Sequence, residues 1–135
     1  KTKTVLTGQA AKDIKNYTIE QHYKKASPKT SVLLDESRDR IKLIDSQIIE
    51  KPVGNYIGYK LNWYNFVSVH VYKDKLRIHV RKEKFDKATA RKLTQIPESY
   101  KWGKTPLWWI DVKSDKTIDY LMPIIKESYE AAPDK

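Results

Sequence analysis

The sequence predicts an α+β fold in which an antiparallel β-meander carries helices on one face. Three observations lead there. Residues 66–72 and 75–81 each alternate apolar and polar with period two, the mark of half-buried strands. A two-residue loop, Lys73-Asp74, sets Val71 opposite Leu76, Val69 opposite Ile78 and Val67 opposite Val80, so every apolar side chain of the pair shares one face. Segments opening at Ser27-Pro28 and Ser114-Asp115 then carry apolar stripes at helical spacing, able to cover that face.

Taken in order, residues 1–17 are Lys-rich and aperiodic, and read as a linker, an N-terminal arm or a marginal helix. Residues 17–23 form an isolated turn or a short helix capped by Thr18. Ser27 followed by Pro28 is a helix start, because the hydroxyl caps and Pro gives up only a donor that would be orphaned anyway. That helix is expected to run to about Ser46, with Leu33, Leu34, Ile41, Ile44 and Ile48 inward. An extended segment from Ile48 ends in the turn Pro52-Val53-Gly54-Asn55. The first meander strand, 56–61, keeps Ile57, Tyr59 and Leu61 on the apolar face if its loop is odd, as Trp63-Tyr64-Asn65 would be. Residues 84–93 read as a helix with Phe85, Ala88 and Leu93 inward, and 99–106 as a loop. Residues 107–112 form an apolar strand covered on both faces. In the last helix Ile118, Leu121, Met122, Ile125 and Tyr129 make the stripe; Pro123 implies a late start near Asp119 or a kink.

At 135 residues, 18–135 are expected to form one domain. Cysteine is absent, which excludes disulfides and thiolate metal sites. No apolar run approaches the roughly 20 residues of a membrane helix, and the expectation is a soluble cytoplasmic protein. Met122 is the only methionine, so the chain reads as a piece of a longer polypeptide. The net charge of +10 is concentrated: residues 73–104 hold eleven Lys and Arg against four acids, and residues 1–30 seven Lys against two. Concentrated positive charge argues for polyanion partners.

Four segments carry a resemblance: TIEQHY at 18–23, KPVGNYIGYK at 51–60, FVSVHVYKDKLRIHV at 66–80 and IDYLMPIIKESYE at 118–130. In these the chain resembles a family of small prokaryotic α/β domains called "predicted transport protein". Such domains often form the C-terminal module of restriction-type, ParB-nuclease-like proteins. The resemblance implies this fold and a modular, terminal position; nothing in the sequence implies transport across a membrane.

The polar face of the central hairpin is the first candidate site. It carries Phe66, Ser68, His70 and Tyr72 beside Lys75, Arg77, His79 and Arg81, and the charged residues Lys82, Arg91, Lys92, Lys101 and Lys104 with Trp102 extend it. Cations for phosphates and aromatic faces for bases are what a nucleic-acid surface combines. The competing reading is an ordinary solvated face, or one lying under a helix. A second candidate is the aromatic group Trp63, Tyr100, Trp102, Trp108 and Trp109, suited to a docking surface or a cage for a modified base or cation. Trp108 and Trp109 are adjacent, so one faces the core and the other needs a second cover. A third is Asp111-Val-Lys113, which resembles the end of a PD-(D/E)xK nuclease motif, in which carboxylates hold Mg²⁺ and Lys steadies the attacking water. No Pro-Asp pair precedes a strand upstream, and Asp111 is expected at the solvent edge, near Lys113 and the helix start. His70 and His79 share a face diagonally, without the third ligand that a metal needs. With no clustered glycines, no cofactor is implied. These readings converge on a non-enzymatic accessory module of a larger prokaryotic protein, of restriction or defence type, binding nucleic acid, DNA rather than RNA. The alternatives are protein docking through the Trp/Tyr surface and metal-dependent cleavage at Asp111 and Lys113. A preceding domain of the same polypeptide is the other expected partner.

Overall fold

A computed structural model describes residues 17–97 and 105–133. Its short first helix α1, Ile19–Tyr23, is closed at its start by a capping box: the Thr18 hydroxyl accepts the Gln21 amide while the Gln21 side chain accepts the Thr18 amide. Helix α2, Pro28–Lys42, has Ser27 as its cap, with the hydroxyl accepting from the Thr30 amide. It stops earlier than the expected end near Ser46. Asp45 accepts the Gln47 amide at 2.9 Å, and this local turn competes with further helix.

Six strands among the described residues form one antiparallel sheet in the order β1-β2-β3-β4-β6-β5. They are β1 Ile49–Pro52, β2 Ile57–Leu61, β3 Tyr64–Val71, β4 Leu76–Arg81, β5 Thr94–Gln95 and β6 Leu107–Val112. Helix α3, Lys87–Lys92, lies between β4 and β5, and helix α4, Asp115–Glu130, follows β6. This is the expected α+β arrangement, and the β3–β4 register is the expected one: Val67↔Val80, Val69↔Ile78, Val71↔Leu76. Helices α2 and α4 pack on the face that carries those residues, burying Leu33, Leu34 and Ile41 from α2 and Ile118, Leu121, Ile124 and Ile125 from α4. Pro123 neither delays α4 nor ends it. Its side is exposed, so the carbonyl that loses a partner one turn earlier, at exposed Asp119, meets solvent.

The meander differs from the expected one at the β2–β3 turn. The loop is the two-residue Asn62-Trp63, with Asn62 in the left-handed region at φ 58, which Asn tolerates better than most residues. Pairing runs Leu61↔Tyr64 and Lys60↔Asn65, then skips Phe66 to reach Tyr59↔Val67. Phe66 is thus a bulge. It faces the helices rather than the polar surface: it is fully buried, its ring 5.5 Å from that of Tyr129. The Ser128 hydroxyl of α4 lies 2.5 Å from the Phe66 carbonyl and accepts the Arg81 amide at 2.9 Å. Phe66 therefore leaves the candidate binding surface. The bulge supplies the odd offset that a three-residue loop was expected to provide, so Ile57, Tyr59 and Leu61 keep the expected face.

Two further expectations change. Asp86 caps α3 by accepting the Thr89 amide at 2.8 Å, which places Phe85 ahead of the helix and exposes Ala88. Phe85 and Leu93 are buried as expected, with Ala90 packed against the core in place of Ala88. At the opposite edge, β1 is anchored by Glu50, which accepts two hydrogen bonds from Arg38 at 2.9 Å and one from the Tyr59 hydroxyl at 2.7 Å. Burial alone would raise the Glu50 pKa, but these donors hold it below the ordinary range.

The bulge carries a quantitative consequence. Truncating a buried Phe costs about 3–5 kcal/mol, whereas a solvent-facing strand residue costs within about 0.5 kcal/mol. Phe66→Ala is expected to fall in the first class in urea unfolding; a loss of under about 1 kcal/mol would return Phe66 to the open face.

Candidate nucleic-acid interface

The bulge and the ladder together decide what the open face of the sheet presents. Because β3 and β4 pair Ser68↔His79 and His70↔Arg77, these four side chains alternate away from the helices. Across β4–β6 they continue into Trp109, opposite His79, and Asp111, opposite Arg77. Across β2 and β1 they continue into Gly58 and Lys51, while Lys60 lies opposite Asn65. The face is therefore an ordered mosaic of rings, cations and one acid.

That acid changes the electrostatics expected from the hairpin alone. The Arg77 guanidinium donates to both Asp111 oxygens, at 2.8 and 3.2 Å, and Lys75 Nζ donates to Oδ2 at 3.1 Å. Arg77, with Lys75 beside it, holds the Asp111 carboxyl below its ordinary pKa. The Arg77 guanidinium carbon also lies over Trp109, 3.8 Å from the ring centroid, which is the second cover that this tryptophan requires. Trp108, its neighbour, is buried edge-on to Phe85 and donates its indole N–H to the Lys82 carbonyl at 3.0 Å. Lys75 and Arg77 are thus engaged with an acid, and Lys82 pairs with Glu127 at 2.5 Å. Asp111 was expected near Lys113 and the start of the last helix, but it is clamped across the ladder from the neighbouring strand. Both of its oxygens are occupied by cations, and exposed Lys113 takes no part in that clamp. No group of three metal-ligating side chains occurs among the described residues.

Cations without an acidic partner lie elsewhere on the same face. Lys51 and Lys60 form no ion pair among the described residues, and with Trp63, Tyr56, Asn65 and Arg81 they line a shelf of about 300 Å³. Trp63, in the β2–β3 turn, is 64% exposed. Arg81 lies 4.4 Å from the Tyr64 ring and donates to the Asn65 carbonyl at 3.2 Å. Tyr72 is 44% exposed, near Lys75 and Arg77. On α3, Arg91 is exposed and Lys92 reaches the Tyr120 ring of α4, away from the shelf. Tyr100, Lys101, Trp102 and Lys104 lie outside the described residues. Sequence reading missed Lys51, Lys60, Tyr56 and Asn65 as parts of this surface. For Lys51 and Lys60 the only signal was parity across β1 and β2, which an odd loop and the bulge give alike, whereas Asn65 joins the ladder on this face only through the bulge.

Beside the shelf the face sinks into a recess of about 160 Å³ walled by Tyr56, Asn65, His70, His79, Arg81 and Leu107. The His70 and His79 rings are 4.5 Å apart and Tyr56 is 5.3 Å from His70. Gly58 leaves room for this wall: a Cβ there would lie 2.8 Å from the Asn65 side-chain oxygen. Asn65 in turn donates to Ser68 Oγ at 2.8 Å. Burial first, then the neighbouring His79 and Arg77 charges, pushes the His70 pKa down to about 4; burial and Arg77 do the same to His79 against the opposing pull of Asp111. Both rings are therefore neutral at pH 7.

An open antiparallel sheet with helices on one face and a basic, aromatic, recessed second face makes this a domain of the α+β class. Residues 19–132 match a family described as "Domain of unknown function (DUF5655)", and the chain belongs to that family. No curated protein and no solved structure matches the chain.

The neutral pair sets a pH dependence. Each folded-state pKa lies below the unfolded value of about 6.5, so the unfolded chain binds more protons between pH 6.5 and about 4. Stability attributable to the pair is complete above pH 6.5 and falls as pH drops toward 4; the Arg77 charge reinforces this on both rings and Lys25 and His22 on His70, while Asp111 opposes it on His79. His22, whose pKa burial also lowers, adds a slope of the same sign that the variant below retains. Urea midpoints at pH 7 and 5 should differ, and the difference should shrink in a His70→Gln/His79→Gln variant. An unchanged pH slope in that variant would place both rings in water.

Proposed function

We propose that this domain is a non-enzymatic accessory module of a larger prokaryotic protein and that it binds nucleic acid, DNA in preference to RNA, through the open sheet face. One observation carries the reading: Lys51 and Lys60 stand without acidic partners among the described residues, beside exposed Trp63 and half-buried Tyr56, on a face that no described helix covers. Cations of that kind release counterions from a phosphate backbone, and flat rings next to them accept bases without regard to sequence. The commitment of both Asp111 oxygens to Arg77 and Lys75 supports an accessory rather than a cleaving role. A restriction or defence setting rests on the family resemblance of the four segments given above.

Fluorescence anisotropy on a short duplex tests the reading. Affinity should fall with a log–log salt slope of about −0.9 per phosphate contact. Lys51→Gln combined with Lys60→Gln should make the slope shallower by about 2, whereas Lys75→Gln should leave it nearly unchanged. Asp111→Asn removes the acid that occupies Arg77 and Lys75, so binding should tighten and the slope steepen. Association that is insensitive to salt would favour protein docking through Trp63 and Tyr72 instead, and absence of binding at low salt would overturn the proposal.

A further inference from the structure

The recess beside the shelf has a chemistry of its own. An apolar cavity of about 150 Å³ holds one benzene ring, so a recess of about 160 Å³ admits a single six-membered ring and not a whole nucleoside. Its walls carry rings: His70 lies 5.3 Å from Tyr56 and 4.5 Å from His79. Two polar atoms of the wall residues, His79 Nδ1 and Asn65 Oδ1, are buried without a hydrogen-bond partner among the described residues. An amide oxygen accepts, and a neutral imidazole nitrogen donates or accepts according to its tautomer. Buried polar atoms without partners are uncommon and call for an explanation.

The same features argue against an anion in the recess. The imidazoles are neutral at pH 7; Arg77 beside them is committed to Asp111, and Arg81, the one cation in the wall, is engaged by the Tyr64 ring and the Asn65 carbonyl. A charged phosphate would lose its hydration there and gain little. The cations without acidic partners lie outside, on the shelf, which adjoins the recess through the shared residues Tyr56, Asn65 and Arg81. A nucleotide has this layout: a neutral planar heterocycle with donors and acceptors on its edge, joined to a charged backbone.

We infer that the recess formed by Tyr56, His70, His79 and Asn65 receives one unpaired base of a bound nucleic acid, while its phosphates lie on the Lys51–Lys60 shelf. This rests on the nucleic-acid reading above and adds to it a preference for strands with a base outside the stack. Extruding a base costs least where it is already unpaired, so the preference is readable without any chemistry.

Three duplexes of one sequence separate the possibilities by anisotropy at a single low salt concentration: fully paired, with one bulged thymine, and with an abasic residue at the bulge. The abasic duplex bends as easily as the bulged one but lacks the base. Binding of the bulged thymine duplex should exceed that of both others by about fivefold or more, the lower range of one base stacked on protein rings. Ser68→Met, which narrows the recess without touching Lys51 or Lys60, should abolish that preference and leave the salt slope unchanged. Tyr56→Ala, on the rim, serves the same purpose if Ser68→Met fails to fold. Equal, salt-sensitive binding of all three duplexes would overturn the recess inference and leave the shelf intact. Binding of none would overturn the nucleic-acid reading and this inference with it. Millimolar thymine that saturates the recess without any duplex preference would make it a small-molecule site and also overturn the inference.

Discussion

One unpaired residue in the middle of β3 reconciles two demands that a regular ladder cannot meet together. A two-residue turn at Asn62-Trp63 with unbroken pairing would set Tyr59 opposite Phe66 and send Val67, Val69 and Val71 to the side away from Ile57 and Tyr59. Skipping Phe66 restores Tyr59↔Val67 and Ile57↔Val69, so one continuous apolar face meets α2 and α4. The displaced residue is not wasted surface. Its ring fills space against Tyr129, and α4 supplies the Ser128 hydroxyl to its carbonyl, so the irregularity is bonded as well as packed.

The open face inherits its shape from the same event. Asn65, turned outward by the bulge, bonds Ser68 and lies over the bare Cα of Gly58, closing one wall of the recess. Its opposite wall comes from His79 on β4 and Leu107 on β6. Depth on an otherwise flat sheet thus comes mainly from side chains of three strands, β3, β4 and β6, positioned by ladder register, with Tyr56 just before β2 and Ile96 just after β5 completing the wall. Such a site is preorganised, and ligand binding need not first order it.

Charge on this face is partitioned rather than uniform. One side holds the Arg77–Asp111–Lys75 cluster with Trp109 beneath it, a half-buried ion pair whose members satisfy each other. The other holds Lys51 and Lys60 near Trp63. Between them stand two histidines that burial keeps neutral. In the proposed reading, the phosphate-attracting cations on β1 and β2 stand one to two strand spacings, roughly 5–10 Å, from the β3 strand that carries His70.

Much of the architecture was legible in the residues themselves. Period-two alternation in β3 and β4, with a loop of only two residues, leaves one register that unites Val67, Val69, Ile78 and Val80, because any one-residue slip buries charge. Ser27-Pro28 and Thr18 mark helix starts through local chemistry, and the apolar stripes of α2 and α4 follow from 3.6-residue spacing. Parity also required an odd offset between β2 and β3. What parity cannot say is whether a longer loop or a bulge supplies it, since both give the same faces; packing against Tyr129 and Ser128 decided for the bulge and moved Phe66 inside. The identity of the available cations was likewise beyond the sequence. Lys75 and Arg77 read as open to phosphate because their partner, Asp111, is more than thirty residues away and meets them only when β6 pairs with β4. Local pattern determines which face a strand residue takes; only non-local pairing determines which neighbours share it, and therefore which charges remain available.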